Sequence, residues 1–355
     1  MSLPDSVDLL TGVNVVELSQ GTAGAYCGRS LAVQGATVRS VKLRDKAQGS
    51  APAEIYLGMY KEKIVIDPDD DDDTRELESL CASADIVVSD IELAELEGYG
   101  LDPARIRAQY PSIVFALISP FGMAGPRSDW LGTDLEVQAF GGLMAMLGWA
   151  EGTPLAIPYD AGLVQAGSHA NAAILAALLN RDAGRGGATI DICAAQCMMA
   201  CIRGTAALQE YYDIPIKRSG PSSPGNAGRY PVRLFPCSDG YVLIMARNEE
   251  QWHAIVAMIG NPAWANEQRY QNTHGMAFDY PEELDALIFP WTRQRTRAQL
   301  MEAARIHKVP AGSVLTLEEV LQDEQFLTRG FFTTIGFDGQ EISVPTHPVH
   351  WTSAS

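Results

Sequence analysis

The stretch VNVVELSQGTAGAYCGRSLAVQGATVRSV, residues 13–41, decides the fold of this chain. Residues 13–18 form a short apolar run rich in β-branched side chains, which predicts a strand. A loop of small residues follows at 19–24, then a helical stretch that ends before Gly35, and a second strand over residues 36–41. This order begins a doubly wound parallel sheet, in which ligands bind at the loop after the first strand.

The alternation of strands and helices continues after this unit. Short apolar runs predict strands at residues 64–66, 85–88 and 112–118, with helices between them at residues 76–84 and 103–109. Longer helices are predicted at residues 134–146 and 163–179. Repeated alternation of this kind indicates a parallel sheet covered by helices on both faces, so we predict an α/β fold with a Rossmann-like sheet. The first loop lacks a G-x-G-x-x-G pattern and Lys42, not an acidic residue, ends the second strand, which disfavours dinucleotide binding.

The composition changes at residues 214–229, which are rich in Gly, Pro and Ser and indicate a boundary. Beyond it, apolar runs at residues 231–236 and 241–245 flank Ser238-Asp239-Gly240. A turn with Asp-Gly between two such runs predicts a β-hairpin.

Net charge and hydropathy exclude several kinds of partner. The chain has 355 residues, and its 44 acidic and 26 basic side chains give a formal charge of −18. A surface of this charge repels phosphate backbones and anionic lipids, so we expect neither nucleic acid nor a membrane as partner. The longest apolar run, residues 172–179, is too short for a membrane span, and the first residues lack the features of a signal peptide. With six cysteines and no disulfide-like pattern, we expect a cytoplasmic protein.

Two clusters of potential metal ligands are interpreted as structural. Cys193, Cys197 and Cys201 lie on one face of a helix, and their small apolar neighbours indicate a buried core. The acidic run at residues 67–73 is typical of a solvated helix start, where the helix dipole favours negative charge. We therefore predict no metal site.

Several longer motifs follow one another along nearly the whole chain. They are LTGVNVVELSQGTAGAYCGRSLAVQGATVRSVK (10–42), YKEKIVID (60–67), SADIVVSD (83–90), ISPFGMAGPRSDWLGTDLEVQAFGGLMAMLG (118–148), PYDAGLVQAGSHANAAILAALLNRDAGRGGATIDI (158–192) and PGNAGRYPVRLFPCSDGYVLIMARNEEQW (224–252). In this order they resemble the family III CoA-transferases, the CaiB/BaiF family, which includes formyl-CoA transferase and α-methylacyl-CoA racemase. The resemblance implies an acyl-CoA:carboxylate CoA-transferase with coenzyme A as part of its substrate.

Asp160, in the segment IPYDAG, matches the catalytic aspartate of this family. The resemblance implies that its carboxylate attacks the acyl-CoA thioester, which gives a mixed anhydride and then an enzyme–CoA thioester that a second carboxylic acid consumes. A positioned carboxylate in a dry site can serve as such a nucleophile, and N–H groups at the start of the following helix are candidates for stabilising oxyanions. The alternative is that Asp160 only caps the helix beginning near Gly162.

Three further residues are candidates for acid–base or site-lining roles by the same resemblance: Glu249, Thr133 and Gln138. Thr133 stands where the racemases have a histidine, and a threonine hydroxyl titrates too high to abstract an α-proton, which argues against racemase activity. Glu249 stands where racemases have an acidic partner, although the helix dipole also favours a Glu there. His169 is interpreted as a packed or capping side chain.

The resemblance also implies contacts to CoA from the first loop, from basic residues and from a later Gly-rich loop. These residues are Gln20, Thr22, Ala23, Lys42, Arg44, Lys61, Gly225 and Asn226. Departures from the family pattern include Asp90, where Asn is frequent, and Gly98, where some transferases have Arg. These departures would remove phosphate contacts, so a non-catalytic or partner-dependent subunit stays open as an alternative. The acidic residue Glu249 keeps a racemase-like enzyme open as another.

The domain organisation that the resemblance implies is a large Rossmann-like domain and a smaller α+β domain in an interlocked homodimer. We expect the large domain at residues 1–205 and 320–355, the small domain at 225–312, and linkers at 206–224 and 313–319. The active site would lie between the large domain of one chain and the small domain of the other. The expected partners are an acyl-CoA and a carboxylic acid, and the sequence leaves their acyl groups unspecified.

Overall fold

The computed structural model describes residues 8–43, 51–67, 69–213, 217–222, 229–337 and 339–351. Two compact units divide the chain. The first comprises Met1–Met144, Ala156–Arg203 and Gly330–Ser355, and the second comprises Ala145–Leu155 and Gly204–Arg329. In this division, residues 145–155 and 320–329 group with the second unit. The domain boundaries given above stay a proposal.

The first unit is built on a six-stranded parallel sheet, which confirms the predicted α/β fold with its Rossmann-like sheet. Its strands are β1 Asn14–Leu18, β2 Thr37–Leu43, β3 Glu62–Ile66, β4 Ile86–Ser89, β5 Val114–Ser119 and β6 Ala188–Cys193. The strand order is β3-β2-β1-β4-β5-β6, so the direction of winding reverses beside β1. In such a sheet, ligands bind outside the carboxyl ends of the strands at this point of reversal.

Helices cover both faces of this sheet. In chain order they are α1 Thr22–Val33, α2 Ala51–Gly58, α3 Asp71–Ala82, α4 Leu93–Gly98, α5 Pro103–Gln109, α6 Asp134–Phe140, α7 Ala161–Asn180 and α8 Ala194–Cys201. One buried cluster joins the sheet to α1, α7 and α8, and the other joins it to α3, α4 and α5. Neighbouring strand residues point into different clusters, as Val15 and Val16 do, which is the alternation expected of a strand buried on both faces.

A two-stranded hairpin near the end of the chain completes the first unit. It consists of β10 Phe332–Phe337 and β11 Gln340–Pro345, which pair antiparallel. Arg29 of α1 is 1% exposed and donates to the Thr346 carbonyl oxygen over 3.1 Å. Its guanidinium also lies 4.0 Å from the centroid of the Tyr56 ring. The last strand is therefore tied to the middle of α1.

One predicted helix is shorter than the sequence pattern suggests. The helix expected at residues 134–146 ends at Phe140, and a separate 3₁₀ turn occupies Met144–Met146. Gly142 has φ of +81°, which a helix does not permit. A Cβ atom on Gly141 would lie 2.6 Å from the Met198 Cβ atom, so close packing against α8 requires glycine there. Apolar periodicity alone does not reveal this break.

The second unit is an α+β arrangement around a three-stranded antiparallel sheet with the order β7-β8-β9. Its elements are α9 Arg203–Tyr212, β7 Val232–Cys237, β8 Gly240–Met245, α10 Glu249–Met258, α11 Thr273–Asp279, α12 Pro281–Arg293, α13 Arg297–His307, β9 Ala311–Ser313, α14 Leu317–Gln322 and α15 Glu324–Thr328. The hairpin predicted from the Asp-Gly turn is confirmed by the pairing of β7 with β8. The core of this unit surrounds the fully buried rings of Trp252, Tyr270 and Phe235.

Helix α7 has a length and composition that would also suit a membrane span. Together with the turn that follows it, it covers Ala161–Arg185, and it is the one such helix in the part of the chain that the structure describes. It packs against α1, β5 and β6, with Ala166, Ala170 and Ile174 fully buried. Small residues on its inner face therefore serve close packing on the sheet.

Candidate active site

Asp160 lies at the N-cap of α7 in an unusual backbone conformation. Its φ and ψ are 54° and 35°, and the preceding Tyr159 has φ of 63°. Two successive non-glycine residues in the left-handed region are rare, and such strain costs on the order of 1–3 kcal/mol per residue. Both side chains are exposed. The chain thus turns sharply just before α7 and presents the carboxylate to solvent.

The carboxylate of Asp160 does not cap its own helix. It accepts instead a hydrogen bond of 2.5 Å from the Thr22 hydroxyl, at the first residue of α1, to its Oδ2 atom. The capping role belongs to Asp134, whose Oδ1 accepts from the Gly162 and Leu163 N–H groups at 2.8 and 3.0 Å. These two N–H groups, which the sequence offered as oxyanion donors, are therefore already occupied. The alternative of a simple helix cap does not describe Asp160.

A second set of contacts fixes the segment that leads into Asp160. Gln138, which is 1% exposed, accepts from the Ile157 N–H at 2.9 Å and donates to the Ile157 carbonyl at 2.8 Å. Its amide group also donates to Oδ2 of Asp134 at 2.5 Å. One face of α6 therefore holds both the approach to Asp160 and the first turn of α7. Gln138 positions the backbone and is buried away from solvent.

The contact between Thr22 and Asp160 depends on close packing of α1 against α7. A Cβ atom on Gly167 would lie 2.5 Å from the carbonyl oxygen of Ala23. Any side chain at Gly167 would therefore push the two helices apart. Ala23 itself is buried at this contact, and its predicted contact with CoA stays a prediction.

The loop between β1 and α1 is held by the carboxylate of Asp90, which follows β4. Its Oδ1 accepts from the N–H groups of Gln20 and Gly21 at 2.8 and 3.3 Å, and its Oδ2 accepts from Gly24 N–H at 2.9 Å. The Ser19 hydroxyl donates to the same Oδ2 over 3.1 Å. In dinucleotide-binding relatives of this fold, phosphate groups take such N–H groups. Here a side chain of the protein takes them.

Lys61 is internal and does not face solvent. Its ammonium lies 2.5 Å from Oε2 of Glu17, with the two side chains 1% and 0% exposed. It also donates to the Ala25 carbonyl at 2.7 Å, and the Ser40 hydroxyl donates to Oε1 of Glu17 at 2.7 Å. Burial raises the pKa of Glu17 and lowers that of Lys61, while each partner's charge opposes the shift. This arrangement differs from the phosphate-facing lysine that the sequence suggested.

The other predicted site residues are dispersed. The Lys42 ammonium donates to the Ser19 carbonyl at 2.8 Å, and the Gln20 amide donates to Glu95 at 3.1 Å. Thr133 is the N-cap of α6, and its N–H donates to the Glu136 carboxylate at 2.8 Å. Its hydroxyl donates to the same oxygen, and these hydrogen bonds lower the pKa of Glu136. Arg44, Gly225 and Asn226 lie outside the described residues.

Two further candidates, Glu249 and His169, contact residues of their own unit or helix. Glu249 lies in the first turn of α10, in the second unit, and accepts a long hydrogen bond of 3.4 Å from the Thr273 hydroxyl. His169 contacts the Gln165 carbonyl of its own helix at 2.9 Å. His169 is exposed on this helix, so it is not the packed side chain that the sequence suggested.

The cysteine cluster is only partly core. Cys193 and Cys197 are buried, but Cys201 is exposed, so the prediction of a buried face holds for two of the three. Burial raises the pKa of Cys197 to about 11. Within the described ranges, no group of three or more His, Cys, Asp or Glu side chains is arranged to hold a metal ion.

The geometry therefore assembles one reactive feature in the first unit: an exposed carboxylate on a strained turn, with a hydroxyl donor on one oxygen. Sequence reasoning missed Asp134, because the N–H groups that it satisfies lie 28 and 29 positions away. It also treated Asp90 as a departure from a pattern, although this residue organises the loop that carries Thr22. A carboxylate held in this way can act as a nucleophile toward an activated acyl group.

Comparison with known proteins identifies the family. The sequence model of the family described as CoA-transferase family III matches residues 10–355 of this chain. Similar proteins include the succinate–glutarate CoA-transferase of Agrobacterium fabrum, 27% identical over 92% of this chain and 85% of the relative. The succinyl-CoA–D-citramalate CoA-transferase of Chloroflexus aurantiacus is 28% identical over 90% of this chain and 82% of that protein.

Among solved structures, a CaiB/BaiF family protein from Brucella suis superposes with a TM-score of 0.85 at 26% identity. The match covers 99% of this chain and 94% of that protein. The resemblance drawn from the motifs is thereby confirmed, and with it the expectation of an enzyme that uses CoA thioesters. The chain belongs to CoA-transferase family III.

Proposed function

We propose that this enzyme transfers coenzyme A between two carboxylic acids with Asp160 as its covalent nucleophile. The observation that carries this proposal is that the Asp160 carboxylate sits at a helix start without capping it, while Asp134 satisfies the N–H groups there. A carboxylate kept free of the role that its position normally brings is available for chemistry.

The proposed reaction balances as four displacements. One oxygen of Asp160 attacks the acyl-CoA carbonyl, which gives an aspartyl mixed anhydride and CoA thiolate. The thiolate then attacks the aspartyl carbonyl, which releases the first acid as its carboxylate and leaves an enzyme–CoA thioester. The carboxylate of the second acid attacks this thioester, which releases the thiolate and forms a second mixed anhydride. The thiolate finally attacks the acyl carbonyl of the second acid, which gives the new acyl-CoA and restores the Asp160 carboxylate.

The hydrogen bond from Thr22 suggests which oxygen reacts. Thr22 donates to Oδ2, so Oδ1 is the oxygen left to attack the thioester. During both steps at the aspartyl carbonyl, negative charge then develops on Oδ2. The hydroxyl of Thr22 is already aimed at that atom and would stabilise the charge without reorganisation.

Replacement of Thr22 by Val tests this role. Valine has nearly the same shape but no donor, so we expect kcat to fall about 10²- to 10³-fold, the usual effect of losing one oxyanion donor. The Thr22→Ser variant keeps the donor and should stay within about tenfold of the wild type. Steady-state kinetics of both variants measure kcat and KM and so test the donor role of Thr22. A loss confined to KM, or equal losses in the two variants, would contradict the assignment.

For the acid, we propose a short dicarboxylic acid. Two relatives are named for succinate, glutarate and citramalate, which all carry two carboxyl groups.

Of the predicted CoA contacts, Gln20 and Lys42 are retained in the proposal because they lie at the loop after β1. Racemase chemistry is not proposed, since the Thr133 hydroxyl is engaged with Glu136. The interlocked homodimer, the cytoplasmic location and the lack of membrane and nucleic-acid partners stay predictions.

Intact-mass measurement tests the proposed function directly. We expect that incubation with succinyl-CoA or glutaryl-CoA adds a CoA-sized mass to the wild type and that hydroxylamine removes it. The adduct should be absent in the Asp160→Ala variant and present in Asp182→Asn, a matched carboxylate just beyond the far end of α7. A wild type that binds acyl-CoA but never forms the adduct would overturn the covalent mechanism.

A further inference from the structure

Arg127 occupies an unusual position in the segment after β5. Its guanidinium carbon lies 5.0 Å from the centroid of the Trp130 ring and 4.9 Å from that of Phe140. Phe121 packs edge-on against both rings, with centroid distances of 6.0 and 5.3 Å. The cation is thus held by aromatic rings, and a stacked guanidinium loses little freedom when it forms hydrogen bonds.

The guanidinium group of Arg127 also lacks a polar partner among the described residues. In the described part of the chain, five arginines have a buried Nε atom without a hydrogen bond: Arg29, Arg107, Arg127, Arg233 and Arg297. Four of them use their other nitrogens for carbonyl oxygens or carboxylates. The guanidinium group of Arg127 forms neither a hydrogen bond nor an ion pair with any described residue. In a protein with a formal charge of −18, a cation without a carboxylate neighbour is conspicuous.

The position of Arg127 links it to the candidate active site within the same unit. Its segment leaves the carboxyl end of β5, where the Asp191 carboxylate accepts from Met123 N–H at 3.1 Å. The segment then enters α6, whose first residue, Asp134, bonds to the N–H groups that open α7. Arg127 therefore belongs to the loops at the carboxyl edge of the sheet, where ligands of this fold bind.

The chemistry of the transfer indicates which carboxylate of a substrate suits Arg127. The reacting carboxylate loses its charge when it becomes an anhydride or thioester, so a fixed cation would lose its partner during the reaction. A second carboxylate keeps its charge throughout. A charged donor without an acceptor is unfavourable, and a carboxylate ligand would supply the missing acceptor.

We propose that Arg127 is the specificity-determining residue that binds the second, non-reacting carboxylate of a dicarboxylic substrate. The inference rests on the dicarboxylic acid of the proposed function. Trp130 and Phe140 are 51% and 53% exposed, so an anion from solvent can reach the guanidinium between them. The same guanidinium chemistry would also suit a phosphate of CoA, and the experiment separates these two sources.

The test is a binding titration that needs no covalent step. Calorimetry on wild type, Arg127→Met and Arg127→Lys measures succinate and butyrate, with and without free CoA, and in parallel CoA and 3′-dephospho-CoA. We expect succinate affinity to fall about 10- to 100-fold in Arg127→Met, the effect of one charge-assisted contact, while butyrate binding is unchanged. The Arg127→Lys variant keeps the charge and should show a smaller loss. Arg75→Met, which removes an exposed arginine of α3, is the matched control and should bind succinate as the wild type does.

Other outcomes overturn the proposal in distinct ways. A loss of CoA affinity that disappears with 3′-dephospho-CoA would assign Arg127 to the phosphate instead. Unchanged succinate binding in Arg127→Met would remove Arg127 from the site. If Arg127→Met does not fold, a succinate affinity in Arg127→Lys equal to that of the wild type would overturn the assignment, because a lysine lacks the planar set of donors of the guanidinium. Because the titration requires no adduct, its failure leaves the Asp160 chemistry standing, and the mass experiment tests that chemistry separately.

Discussion

The Asp160→Asn variant is expected to lose CoA transfer by about 10⁴-fold or more in kcat, the scale seen when a covalent nucleophile is removed. Asparagine keeps the shape of the side chain, and its carbonyl oxygen can still accept from the Thr22 hydroxyl. It carries no negative oxygen that can attack a thioester. The loss should therefore be chemical, with free CoA bound as by the wild type. Initial rates with a dicarboxylic acceptor and a CoA titration measure the two effects.

Controls separate this loss from a change in the fold. Asp160 is exposed and does not cap α7, and asparagine tolerates its left-handed backbone, so Asp160→Asn should alter the free energy of unfolding by less than about 1 kcal/mol. Asp160→Ala excludes activity restored by deamidation of the introduced asparagine. Asp182→Asn should keep full activity. Transfer within tenfold of the wild type in both Asp160 variants would show that another group is the nucleophile.

The largest loss of stability is expected from Lys61→Met. The substitution leaves the fully buried Glu17 without its counter-ion, and removing one partner of a buried pair costs about 3–5 kcal/mol of unfolding free energy. Lys63→Met is the matched control, because Lys63 lies two residues after Lys61, within β3, and is exposed. That substitution should change stability by less than about 0.5 kcal/mol. Urea unfolding of the two variants compares them directly.

The loss in Lys61→Met should depend on pH. Burial already raises the pKa of Glu17 above its usual 4.5, and loss of the lysine removes the main opposing effect. A group whose pKa is raised in the folded state binds more protons there than when unfolded, so its stability is present below the unfolded pKa and is lost as pH rises. The variant should therefore lose about 1.4 kcal/mol per pH unit above about pH 4.5, up to its folded pKa.

A double variant provides the decisive comparison. Glu17→Gln in the Lys61→Met background removes the unpaired charge, while the amide can still accept from the Ser40 hydroxyl. We expect it to recover part of the lost stability and to abolish the added pH dependence. Equal stability of Lys61→Met and Lys63→Met, or a loss that does not change with pH, would contradict the account of a buried ion pair.

The architecture was predictable where local patterns determine it. Continuous apolar runs between helices indicated the parallel sheet, and an Asp-Gly turn indicated the hairpin of β7 and β8. The break of the helix after Phe140 was not predictable, because it depends on packing of Gly141 against Met198, 57 positions away. Local periodicity carries no information about such a contact.

The candidate site was predictable only in part for the same reason. Family motifs indicated Asp160, but its distinction from a helix cap needed the position of Asp134. Lys61 matched a basic motif, yet it forms a buried ion pair with Glu17 of β1, 44 positions away. Arg127 drew no attention in the sequence, since the lack of a partner is visible only once all its neighbours are known.

The carboxylate of Asp90 has a wider consequence for how this scaffold is used. In nucleotide-dependent enzymes with this sheet order, backbone N–H groups of the turn after the first strand bind the phosphates of the cofactor. Here the Asp90 carboxylate accepts hydrogen bonds from these N–H groups, which belong to Gln20, Gly21 and Gly24. These N–H groups are therefore not available to a phosphate group, and the turn that they stabilise holds Thr22 in place. Nicotinamide dinucleotides should therefore neither bind at this turn nor inhibit the enzyme there.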